Sequence, residues 1–220
     1  MMEDIHPAAA QPEAHSSPRR RALGAITAGS LLNSFGFRVW QSLFNNFAVL
    51  EFAATAEQIG WAQSIREVPG LLGAGVGLMA LALTEVRLAG LSIVVMGAGI
   101  VMTGMSDAYS ALLLSTFVMS AGFHVFVSSS WSAVLHVCGR DEAPRALGRL
   151  SSVNAASAVA AAAVVFFALD AAGFRLLFTI TGSILVAGGL VLQPFSRQPA
   201  RPRRERTRTT IRREYWGYYA

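Results

Sequence analysis

Long apolar runs, interrupted at short intervals by one or two charged residues, set the pattern of this 220-residue chain. A helix needs about 20 apolar residues to cross the hydrocarbon of a bilayer. On that measure six stretches qualify: residues 24–50, 58–83, 88–105, 110–137, 147–169 and 174–195. The pattern predicts an all-α, polytopic membrane protein with six transmembrane helices joined by short turns. Residues 1–21 have no hydrophobic period and read as a disordered cytoplasmic tail. Residues 196–220 read as a basic cytoplasmic linker, and Trp216 and Tyr218 after Arg212 and Arg213 are what the start of a seventh span looks like.

Polar residues inside the apolar runs are the second pattern. Wound as a helix, Ser34, Arg38, Gln41 and Asn45 fall at i, i+4, i+7 and i+11 and form one polar face. In the fourth run Thr116, Ser120, His124 and Ser128 repeat every four residues, with Trp131 continuing the stripe. The second run carries Arg66 and Glu67 just before Pro69 and Gly70, where a kink is expected. At 1.5 Å per residue, Arg38, Glu67 and His124 lie roughly 13–21 Å in from the outer ends of their spans. An ionised side chain at that depth costs about 2.5–3.5 kcal/mol, so these groups are expected to face a wet cavity or a partner. The third run has no charge and the sixth only Arg175 at its outer end, so either is expected to face lipid around much of its circumference. Gly73 and Gly77 in the second run and the alanines of the fifth read as surfaces for close helix approach.

Composition sharpens the class. Charged residues are 14% of the chain and apolar ones 53%, where soluble domains average about 25% charged. All 18 basic residues are arginines, most of them beside apolar runs, so the positive net charge reads as juxtamembrane rather than nucleic-acid-binding. With the N-terminus inside, Arg19 to Arg21, Arg87, Arg140, Arg145, Arg149 and the cluster beyond residue 196 all fall on the cytoplasmic side. The outer turns then hold Glu51, Glu57, Asp107, Asp170 and one arginine, Arg175. Both termini are expected inside a bacterial inner membrane. Cys138 stands alone and reads as a small filler residue. The first run is about twice the length of a signal-peptide core, so cleavage is not expected.

The layout resembles the N-terminal half of a major facilitator superfamily transporter. Locally, Ile59-Gly60-Trp61 and the run Gln63-Ser64-Ile65-Arg66-Glu67-Val68-Pro69-Gly70 look like the second helix of a bacterial group with an Arg-Glu-x-Pro-Gly sequence. Gly122-Phe123-His124 and residues 141–148 look like that group too. The chain departs from the superfamily after the second helix, where Glu85 and Arg87 are all that stand near the usual Gly-x-x-x-Asp-Arg-x-Gly-Arg-Arg loop. It also lacks proline in residues 154–169, unlike many drug/proton antiporters. The resemblance implies first and fourth helices lining a cavity and third and sixth lying outside.

The expected function is secondary active transport of a small solute by alternating access. The substrate-cavity and coupling candidates are Arg38, Gln41, Asn45, Arg66, Glu67, Ser120, His124 and Ser128, with Pro69 and Gly70 as the gate or kink. Arginine keeps its proton, so Arg38 needs a carboxylate or an anionic solute, and Glu67 is the expected carboxylate. Histidine ordinarily titrates near neutrality, which suits His124 to proton coupling. The expected partners are the lipid bilayer, a small-molecule substrate, and a second six-helix half or a second copy to close the cavity. No cofactor is implied. The chain has no HExxH, nucleophile elbow, phosphate loop or metal-spaced Cys/His cluster, so it does not read as an enzyme. The competing reading is a non-transporting membrane scaffold or partner subunit, or an inactive truncated product.

Overall fold

A computed structural model describes residues 16–71, 83–138 and 141–196. Five helices account for nearly all of them: α1 (Ser16–Phe52), α2 (Ala56–Leu71), α3 (Glu85–Met105), α4 (Tyr109–Val137) and α5 (Ala143–Leu192), followed by a 3-10 turn at Gln193–Ser196. There is no strand among the described residues. The all-α expectation agrees with this, but the expectation of six transmembrane helices does not. Among the described residues three helices are long and apolar enough to cross a membrane, over Arg87–Met105, Tyr109–Leu135 and Ala143–Leu192.

The shortfall has physical causes. The polar face of α1 lowers its hydropathy below that of a lipid-facing rod. The described part of α2 ends at Leu71, 16 residues from its start, and the Gly73/Gly77 pair lies outside the described residues. The fifth and sixth expected spans run on as the single element α5, whose one non-helical residue is Gly173, at φ 71° and ψ 169°. A glycine takes that positive φ without the Cβ clash other residues meet. The chain bends back there without a loop, because Ser34 of α1 bonds the Asn154 carbonyl while Gly36 abuts Leu185, on opposite sides of Gly173.

The turn from α1 to α2 is built from two cap motifs. Ala54 N–H donates to the Ala48 carbonyl at 3.1 Å, closing the end of α1 across Ala53, which is held at φ 51°. Thr55 and Gln58 then form a capping box: Gln58 Oε1 accepts from Thr55 N–H at 2.9 Å, and Thr55 Oγ1 accepts from Gln58 N–H at 3.3 Å. A left-handed conformation costs a non-glycine residue about 1–2 kcal/mol. Ala53→Gly is therefore expected to stabilise the protein by about 1 kcal/mol, read as a higher thermal midpoint in detergent.

The core is centred on α3, contrary to the expectation that the third span faces lipid. Leu88, Ile93, Met96 and Ile100 are buried between α4 on one side and the last arm of α5 on the other. Glycines explain why. Gly90, Gly97 and Gly104 recur every seven residues and meet Gly189, Gly182 and Arg175, which also step by seven in the opposite direction. A Cβ on Gly97 would lie 2.6 Å from the Gly182 carbonyl oxygen, so the two backbones touch directly. Toward α4, Gly99 meets the backbone of Met119, and Gly122 meets that of Met96. Helix α1 packs across α3, α4 and α5 through Trp40, Phe44 and Phe47, and Trp40 Nε1 donates to Thr103 Oγ1 at 3.2 Å.

The two ends of the bundle differ in charge. Arg19, Arg20, Arg145 and Arg149 gather at one end. At the other, Arg175 donates to Glu51 at 3.1 Å and to the Ser106 carbonyl at 2.7 Å, tying α1, α3 and α5 together.

Candidate functional site

The polar groups of α2 and α4 converge because α2 packs chiefly on α4. Ser120, buried on α4, donates to the Arg66 carbonyl of α2. One turn further along α4, His124 lies under Gly70: a Cβ there would sit 2.8 Å from His124 Cε1 and 3.1 Å from both ring nitrogens. Glycine at position 70 thus lets the imidazole slide beneath the end of α2. Pro69 stands inside the helix beside it, where it removes a backbone donor.

This packing brings Glu67 to His124. Glu67 Oε2 is 3.8 Å from His124 Nε2, while its other oxygen accepts from Arg66 Nη2 at 2.7 Å and from Arg66 Nε at 3.0 Å. Glu67 therefore joins its own neighbour to a histidine on another helix. The Arg66 and His124 side chains are 21% and 25% exposed and that of Glu67 is 56% exposed, so the carboxylate forms the open lip of the cluster.

The expected pairing of Glu67 with Arg38 is not formed. Arg38 Nη1 donates to Gln41 Oε1 of its own helix at 2.9 Å, and its guanidinium lies 5.9 Å from the Phe37 ring centroid. In this region α1 meets α4 through rings, Phe37 stacking on Phe123 at 4.1 Å. The other α1 candidate, Asn45, does meet α2, accepting from Gln63 Nε2 at 3.1 Å. Ser128 is exposed one turn beyond His124, and Thr116 is buried with its hydroxyl bonded to the Leu112 carbonyl.

No protein-family model matches the chain, and no curated protein is similar to it. The chemistry of the site has to be read from its own side chains.

Among the described residues no group of three or more His, Cys, Asp or Glu could hold a metal ion. Arg66 keeps its proton, so within this cluster a proton can be exchanged only by Glu67 and His124. With His124 charged, Glu67 bridges two cations; with it neutral, Arg66 remains the carboxylate's ionic partner. Two contacts of this region escaped the sequence reading, Gln63 to Asn45 and the Tyr109 hydroxyl donating to the Gln58 carbonyl at 2.6 Å. Gln63 was visible as the polar residue one turn before Glu67. The bond from Tyr109 had no signal in the sequence, since it depends on how α2 lies across the start of α4.

Proposed function

We propose that this chain is a membrane-embedded module of a secondary transporter of the major facilitator type, in which Glu67 and His124 form a proton-responsive tie between α2 and α4. The observation that carries this reading is the 3.8 Å approach of Glu67 to His124 beside Pro69 and Gly70. Alternating access requires a tie that holds in one protonation state and loosens in another. A charged imidazole attracts the Glu67 carboxylate and draws α2 onto α4, and loss of that proton leaves Glu67 to Arg66 and frees α2 to move. The exposed polar face of α1, with Arg38, Gln41 and Asn45, supplies positive charge and hydrogen bonds to a small anionic solute. A second copy, or a second half, provides the wall opposite that face.

The test is proton movement in proteoliposomes carrying an entrapped pH-sensitive dye, challenged with a panel of small carboxylates and phosphates. A solute-dependent pH change in the wild-type protein is expected. It should fall at least tenfold in Glu67→Gln and in His124→Gln, and Arg38→Ala should lose the response to solute. Unchanged proton movement in both the Glu67 and His124 variants would overturn the reading.

A further inference from the structure

At the arginine-rich end of the bundle, the first turns of α1, the last turn of α4 and the first turns of α5 enclose a pocket of about 390 Å³. Its rim carries Arg19, Arg20, Arg145 and Arg149 against a single carboxylate, Glu142, which pairs with Arg19. Its floor is apolar, with Leu23, Ile26, Val134 and Leu150. Arg145 and Arg149 are four residues apart on α5 and so share a face. Among the described residues Arg20, Arg145 and Arg149 have no ion-pair partner, and Arg19 Nε is buried without a hydrogen-bond acceptor. The site therefore holds more cationic donors than the protein itself satisfies.

We propose that this pocket binds the phosphate headgroup of an anionic membrane lipid. Arginine matches phosphate geometry with two parallel donors. The amino-terminal turns of α1 and α5 add the positive ends of two helix dipoles to the same space. The apolar floor distinguishes a lipid from free phosphate, because it offers Leu23, Ile26, Val134 and Leu150 to the first methylenes of an acyl chain. Basic pockets between helices at the cytoplasmic side of a membrane are suited to such headgroups, and among the described residues the three helices apolar enough to cross a membrane are α3, α4 and α5. The two that line the pocket alongside α1 place it at the membrane boundary. Glu142 does not block the site, since its pairing with Arg19 leaves the other three guanidinium groups open.

The experiment is a thermal-unfolding titration of the full chain, purified in a neutral detergent, with phosphatidylglycerol, phosphatidylcholine or inorganic phosphate. Phosphatidylglycerol is expected to raise the midpoint saturably, by about 5–10 °C at a concentration 100 times its dissociation constant. Phosphatidylcholine and inorganic phosphate should leave it unchanged. The double variant Arg145→Gln/Arg149→Gln should keep the lipid-free midpoint and lose at least tenfold in apparent affinity. If the double variant fails to fold, Arg20→Gln decides the matter in the same titration. An equal shift with phosphatidylcholine, or a wild-type titration in the variants, overturns the site. A response to inorganic phosphate equal to that with phosphatidylglycerol overturns the lipid assignment in favour of a soluble phosphate.

Discussion

Gly97→Leu is expected to eliminate most of the folded protein, lowering the monodisperse fraction on size-exclusion chromatography by more than tenfold. The Cβ alone would lie 2.6 Å from the Gly182 carbonyl oxygen, 2.8 Å from Val186 N and 2.9 Å from Leu185 Cβ. The first two are backbone atoms of α5, which no rotamer change can move aside. Overpacking a well-filled core costs about 1–3 kcal/mol where side chains can adjust. Here they cannot, so α3 and α5 must separate along the whole Gly90/Gly189 to Gly104/Arg175 seam, and α3 is the helix on which α4 also depends. The control is Gly148→Leu, where a Cβ meets nothing within 4 Å. Its folded fraction should stay at or above the wild-type value, because Leu favours a helix more than Gly does. A wild-type elution profile for Gly97→Leu would mean that the α3–α5 seam is not where the structure places it.

The same seam shows which features of the fold could be read from the sequence. Helical content and the charge difference between the two ends follow from local rules: apolar runs make helices, and Arg19, Arg20, Arg145 and Arg149 fall beside them. The position of α3 does not, because a stretch without charge beyond Arg87 and of high hydropathy suits a lipid-facing surface and a protein core equally well. What decides between them is the seven-residue recurrence of Gly90, Gly97 and Gly104, which is present in the sequence and means something only when matched to Gly182 and Gly189 nearly a hundred residues later. The α1–α2 turn was more accessible. Thr55-Ala56-Glu57-Gln58 is a capping-box sequence, and it begins α2 one residue before Ala56. In the candidate site, the residues themselves were legible from the cost of placing charge in an apolar run, but their pairing was not. That cost marks Arg38, Glu67 and His124 alike and gives no means of choosing Arg38 or His124 as the group that Glu67 meets. The packing of α2 on α4 made that choice, and the pairing of two separate helices carries no mark in the sequence.

Glu67→Gln is expected to cost the protein about 1–2 kcal/mol of stability, and the double variant Arg66→Gln/Glu67→Gln to recover most of it. Removing the carboxylate leaves Arg66 as an uncompensated cation whose side chain is 21% exposed and whose carbonyl is already engaged by Ser120. Breaking a fully buried pair costs about 3–5 kcal/mol, and an exposed pair contributes about 0–1 kcal/mol. With Glu67 56% exposed the loss belongs between those limits. Removing both charges removes the unpaired cation, leaving two amides that can bond each other and the surrounding polar groups. The comparison separates a structural pair from a working one. If Arg66 and Glu67 only lock α2, the double variant should match the wild type in thermal midpoint and in proton movement. If Glu67 answers to His124, the double variant should regain the midpoint while its proton movement stays at the level of Glu67→Gln, since the carboxylate facing the imidazole is still missing. Equal recovery of both readouts would assign the cluster to stability alone.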